Sequence, residues 1–223
     1  MSHRALLVLT GSGRYADPWH PFAEVGAEVA DILRHRDWDV AVSDDVDQGM
    51  ANLEGYDLVA VCAGDPWRGG SSLTRGAPPS SVAGFAAALE RGIGVLAVHS
   101  AVSSLRDYPE WAPALGAIWL PELSFHPEAG EMTVQVEPEA VPVEVPTTFH
   151  THDERYCALQ RLGQRTVVAW HEGDGAKEAA AWVREYGGGR IAVDVLGHDA
   201  RAFEASGHRT LVAALAAWAV AGS

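Results

Sequence analysis

Four stretches of this chain are apolar at nearly every position: ALLVL at 5–9, LVAVC at 58–62, GVLAV at 94–98 and IAVDVL at 191–196. A strand buried on one face alternates apolar and polar residues. A run that does not alternate is covered on both faces, the situation of strands in a parallel sheet. Between these runs the spacing changes. Phe22, Val25, Val29, Ile32 and Leu33 recur on one face of a helix over residues 21–36, where Pro21 suits the first turn. A second helix is expected to run to Arg91 from a cap at Ser80 or Ser81, and residues 39–43 read as a further strand. Strands alternating with helices imply βαβ units with right-handed crossovers, hence an α/β, doubly wound, mostly parallel sheet. In such sheets ligands bind beyond the carboxyl ends of the strands. The positions to watch are therefore 10–14, 65–68 and 99–103.

The second half is less regular. Residues 132–136 alternate like a half-buried strand, 141–145 could pair with them, and 166–170 form another strand. Residues 180–186 and 190–196 flank Gly187-Gly188-Gly189, a hairpin signal, so an added β-hairpin region is expected here. Residues 208–220 make a closing helix. With 223 residues, no repeat and no evident linker, 1–223 reads as one domain able to bury its own core. The 30 acidic and 16 basic residues give a net charge of −14, which argues against nucleic acid and anionic membrane surfaces as partners. Two cysteines at no metal-ligand spacing, a 5–9 run too short for a signal peptide and no membrane-length span point to the cytoplasm.

Several short motifs carry candidate chemistry. Gly11-Ser12-Gly13 lacks the third glycine of a dinucleotide fingerprint and the lysine of a phosphate loop, so a tight turn is its plainer reading. His99-Ser100 ends the 94–98 strand at a place where related folds lift a nucleophile into the cleft. Gly197-His198-Asp199 ends the 191–196 strand in the same way. His126 and the Asp153-Glu154-Arg155-Tyr156 segment lie between them in sequence, and each is weak alone.

Taken in order, residues 94–101, Pro109-Glu110-Trp111 through Leu115-Gly116-Ala117, Phe125-His126-Pro127, Asp153-Glu154-Arg155-Tyr156, and the two segments 181–187 and 189–199 resemble the ThuA-like (trehalose-utilisation) family over nearly the whole chain. That resemblance implies a flavodoxin-like, class I glutamine amidotransferase-like fold. In the amidotransferases the elbow carries cysteine. Here it falls on His99 or Ser100, with Cys62 and Cys157 elsewhere, so no thiolate is placed for glutamine hydrolysis. The family resemblance also implies carbohydrate metabolism, with a sugar or oxidised (keto) glycoside as the small-molecule partner. The proline-rich segment 137–146 is idiosyncratic and would shape the cleft.

Two functions fit. The first is a hydrolase, lyase or isomerase with His99, His198, Asp153 and Glu154 as catalytic groups and Asp65, Trp67, Ser100 and Tyr156 against the substrate, Trp111 being a further stacking candidate. His99, His126 and His198 would hold a divalent metal such as zinc. The second is a non-catalytic carbohydrate- or partner-binding module. Self-association is compatible with either.

Overall fold

The computed structural model describes residues 5–68, 76–141, 145–173 and 175–221. A nine-stranded sheet runs through the molecule. Its first five strands are parallel: β2 (Asp39–Ser43), β1 (Ala5–Thr10), β3 (Leu58–Cys62), β4 (Gly94–Val98) and β11 (Gly189–Asp194). The order reverses at β1 and β3, the switch point where such sheets open a crevice. Every side chain of β3 and β4 is buried, as continuous apolar runs require. Val59, Val61, Val95, Ala97, Val193 and Val195 are fully buried, and Val8 with them; the burial of Leu6 lies outside the described residues.

Helices cover both faces. α1 (Phe22–Arg34) and α5 (Ser206–Ala219) pack with Val8, Ala60, Leu96 and Ala192. α2 (Val46–Ala51), α3 (Pro79–Arg91) and α4 (Trp111–Leu115) pack with Leu9, Val61, Val95 and Val193 on the other face. The α3 helix starts at Pro79, with Pro78 preceding it, so Ser80 and Ser81 lie inside the first turn and neither is the cap. Two prolines in succession fix the helical entry there without a side-chain cap. The short helices α2 and α4 have too few residues to show a period, and the sequence pattern missed both.

The sheet then changes character. β10 (Lys177–Tyr186), β9 (Thr166–Glu172), β6 (Gly130–Val136) and β7 (Thr148–Asp153) add antiparallel beyond β11. β10 and β11 meet in a hairpin at Gly187 and Gly188, whose φ of 63° and 100° suit glycine. A separate two-stranded ribbon pairs β5 (Ala117–Ile118) with β8 (Gln160–Arg161). The expected partner of β6 at 141–145 is not the one observed: β7 takes that place, while residues 142–144 lie outside the described residues and Val141 and Val145 are buried.

β7 stands four strands from β11 in the sheet, yet it packs against α5 and the turn Ala200–Glu204. Thr151 Oγ1 donates to the Ala202 carbonyl at 3.0 Å, and Phe149 stacks on His208. A Cβ on Gly207 would fall 2.5 Å from Phe149, so only glycine admits this approach. The antiparallel extension therefore curls back and brings its edge strand over the carboxyl end of the parallel half.

Beneath that closure lies a fully buried pair. His208 Nε2 is 2.8 Å from Asp194 Oδ2, and His208 Nδ1 is 2.9 Å from the Ala202 carbonyl. Both ring nitrogens face acceptors, an arrangement that favours the doubly protonated ring. Burial opposes that charge, but Asp194 outweighs it and holds the His208 pKa above the usual histidine value. A raised native pKa contributes stability that is fully present below the unfolded value of about 6.5 and is lost as pH rises through the native value. Urea unfolding should therefore show stability falling as pH rises above about 6.5, with that part of the slope absent in His208→Gln.

Candidate metal centre

Four groups converge at the carboxyl edge. The ligand atoms of His20, His99, Glu154 and His198 all lie within 4.8 Å of one another. His20 comes from the loop after β1, His99 directly follows β4, His198 follows β11 by way of Gly197, and Glu154 directly follows β7. The parallel half and the curled extension are thus both needed to build the cluster.

His99 is 2% exposed and adopts φ +50°. A side chain in the left-handed region costs roughly 1–3 kcal/mol, and the strand-to-turn junction holds it there. Its Nδ1 is 2.9 Å from the Val195 carbonyl, which can only accept, so Nδ1 carries the proton. The Nε2 lone pair then faces the Tyr156 hydroxyl at 3.0 Å, with Glu154 Oε2 at 3.3 Å. Burial, with the charges of Glu154 and Asp153, pushes the Tyr156 pKa up, so the phenol is the donor in that bond.

His20 repeats the pattern. Its Nδ1 lies 2.7 Å from Asp17 Oδ2, which fixes the proton on that nitrogen. Its Nε2 is buried with no hydrogen-bond partner. Burial, with the neighbouring His99 and His198, pushes its pKa down to about 3, so the ring is neutral despite Asp17. His198 completes the ring cluster at centroid distances of 4.9 Å from His20 and 5.4 Å from His99. Its Nδ1 sits 3.4 Å from Glu154 Oε2 without good hydrogen-bond geometry. Glu154 raises the His198 pKa against the effect of burial. Burial alone would raise the Glu154 pKa; His198 and His99 hold it well below the usual carboxylate range.

Three imidazoles and one carboxylate are a donor set for zinc or a neighbouring divalent transition metal. The fit rests on orientation. Two rings give their second N–H to an oxygen, as metal-binding histidines do, and buried lone pairs are left facing inward. Ligand atoms around zinc stand about 3.3 Å apart, given bonds of about 2.0–2.1 Å, so closure from the present spacing takes small side-chain movements.

The other expected residues fall into several roles. Asp153 is 1% exposed, and its carboxylate accepts from the backbone amides of Gly197 (2.6 Å), His198 (3.1 Å) and Glu154 (2.8 Å). It anchors the site without facing into it. His126 stands on the rim, with Nδ1 3.5 Å from Glu154 Oε1, and is not in the four-residue set; His20 takes that place. Ser100 is buried, and its hydroxyl donates to the Ala63 carbonyl. Asp65 pairs with Arg106 at 3.0 Å and accepts from the Trp67 amide, while Trp67 is half-buried. Trp111 is core, with its Nε1 donating to the Ala101 carbonyl. Gly11 is pinned by a bond from its amide to the Cys62 carbonyl, and the first loop is a tight turn. Both cysteines are free and buried, and burial with Asp194 nearby pushes Cys62 up to about 12. A groove of about 530 Å³ opens beside the cluster, from Trp19 and His20 to Asp199 and Arg201.

A doubly wound α/β domain with a curled antiparallel extension and a histidine-rich carboxyl edge is the class that this fold and site define. The sequence profile of the ThuA family, described by trehalose utilisation, matches residues 6–219, and the chain belongs to that family. Among curated proteins, none matches this chain. A ThuA-like protein from Parabacteroides merdae superposes with a TM-score of 0.81 at 18% identity, over 100% of this chain and 91% of that one. A second, from Bacteroides uniformis, gives 0.72 at 14% identity, over 99% and 92%. A β-galactosidase from Rahnella sp. R3 gives 0.58 at 16% identity, over 95% of this chain but 30% of that one, so a similar fold recurs inside a larger protein. At these identities the likenesses show the fold alone. No helix among the described residues is long and apolar enough to cross a membrane.

Removing the Asp153 carboxylate leaves three backbone amides without their acceptor. Asp153→Ala is expected to lower stability by about 3 kcal/mol or more, at 1–3 kcal/mol for each buried group left unpaired. His152→Ala, whose ring meets exposed Glu131, should change it by under about 1 kcal/mol. Denaturant titration of both variants checks the difference.

Proposed function

We propose that this protein is an enzyme acting on a sugar or an oxidised (keto) glycoside, with His20, His99, His198 and Glu154 holding a divalent metal. The observation that carries the proposal is the convergence of ligand atoms of His20, His99, Glu154 and His198 within 4.8 Å of one another, with His20 Nε2 buried and unpartnered and the Glu154 carboxylate held ionised. The strand order β2-β1-β3-β4-β11 supports the flavodoxin-like form of the fold, and family membership supports a carbohydrate substrate. A bound divalent ion would supply polarisation of a sugar carbonyl or activation of water.

The chain's own groups do the remaining work. Asp17 and the Val195 carbonyl keep the protons of His20 and His99 on the outer nitrogens. Tyr156, a phenol at neutral pH, donates to His99 Nε2; once that lone pair is engaged, the hydroxyl can turn to Glu154 or to substrate. His126, on the rim beside Glu154, is placed to take and return a proton next to a sugar carbonyl. Trp19 is 61% exposed beside His20, with Arg68 over its ring, and Trp119 stands 5.8 Å from the His126 ring, so each offers an aromatic side chain near the cluster. The Asp65 carboxylate is engaged with Arg106 and the Ser100 hydroxyl with the Ala63 carbonyl, while the half-buried Trp67 stays a candidate for stacking on a sugar.

One observation favours a non-catalytic carbohydrate-binding module: both His99 nitrogens already have partners in the protein. Metal analysis separates the two readings. Protein purified without chelator, then reconstituted with zinc, is expected to carry about one metal per chain. His20→Ala and His198→Ala should lose it, and the metal-loaded protein should turn over oxidised disaccharides in a substrate screen. Failure to retain zinc, nickel, manganese or iron(II) after reconstitution would refute the metal centre.

A further inference from the structure

The chain passes Glu154 and Tyr156 to the histidine cluster, but Arg155 between them goes elsewhere. It lines a separate groove of about 490 Å³ on the antiparallel extension, within the size range of small-molecule sites. Arg155 Nε is buried with no hydrogen-bond partner. Buried donors and acceptors of this kind normally have partners, because each one left unpaired costs about 1–3 kcal/mol. A buried guanidinium nitrogen with unused hydrogen-bonding capacity at the wall of a groove is the mark of a ligand site.

The other walls specify the ligand. Thr133 and Gln135 on β6 and His150 on β7 expose hydrogen-bonding groups that suit hydroxyls, with Thr133 Oγ1 3.1 Å from His150 Nδ1. Trp170 on β9 gives an aromatic wall, with the Lys177 ammonium 4.6 Å from its ring centre. Glu131 and Glu172 also line the groove, and Glu131 is drawn to His152 at 3.2 Å. With two acids present and a net charge of −14, a bare phosphate is poorly matched. A carboxylate on Arg155 carried by a polyhydroxylated body uses every wall.

We propose that this groove is a second binding site, for a sugar acid, in which Arg155 takes the carboxylate and Thr133, Gln135 and His150 take hydroxyls. It is separate from the histidine cluster and does not depend on that cluster holding a metal. Because Arg155 lies between Glu154 and Tyr156, occupancy bears directly on the segment that supplies both.

D-Glucuronate is the probe and D-glucose its neutral counterpart, titrated into the full chain by heteronuclear NMR. Glucuronate should give saturable shifts at the Trp170 indole and Arg155 Nε–H, and glucose should bind at least tenfold more weakly. Arg155→Gln should weaken glucuronate at least tenfold, while His198→Ala leaves its affinity unchanged. If Arg155→Gln does not fold, Thr133→Val and Gln135→Ala, both at exposed strand positions, are expected to weaken binding several-fold. The site is overturned by the absence of saturable shifts, by equal affinity for glucose, or by wild-type affinity in the folded groove variants. Loss of glucuronate binding in His198→Ala would also overturn it, since the sugar acid would then belong to the histidine cluster.

Discussion

The Asp153 carboxylate is the clasp of this molecule. It ends β7, at the far edge of the sheet, and takes the amides of Gly197 and His198, which lie just past the end of β11, four strands away. A third amide, from Glu154, turns the chain so that the next side chain enters the cluster. Gly197 can serve because φ of 103° aims its amide, and a Cβ there would meet Phe203 and Val98. Without that closure the antiparallel strands would carry Glu154 and Tyr156 away from the three histidines. Position in the site is thus decided by backbone hydrogen bonds to one buried acid, and the titratable side chains follow.

Charge is then arranged by burial. His20 is kept neutral although it touches Asp17, because a buried ring beside two others cannot take a proton cheaply. Glu154 is kept ionised because His99 and His198 surround it. The His208 pKa is held up by Asp194 although both side chains are fully buried. His20 and His208 each touch an acid yet have opposite protonation tendencies: burial beside other imidazoles prevails at His20, and Asp194 prevails at His208.

The parallel half of the fold was legible because its inner strands β1, β3, β4 and β11 are apolar at nearly every position, a pattern that few other environments tolerate. His99 and His198 were legible for the same reason, since each ends such a run. His20 was not: it lies six residues beyond Tyr15's preceding arginine in a loop with no period, and only its distance from the strand end in space reveals it. Asp153 and Glu154 looked alike as adjacent acids, yet one accepts amides and the other faces imidazoles, a distinction made by the closure of β7. The partner of β6 was misplaced onto 141–145 because the apolar residues there are buried by packing, while the true partner, TFHTHD, hides its strand character among histidines.

The sequence separation of the four converging groups has a kinetic meaning. His20 and His198 are brought together from opposite ends of the chain, and Glu154 joins them only after the extension has curled over α5. Long-range contacts of this kind form late, after local structure has reduced the entropy of closing such large loops. An ion bound by this set would recognise the finished molecule and no partly assembled one. Its release rate would then report how often β7 lifts from β11, a local opening otherwise silent to probes of the buried core.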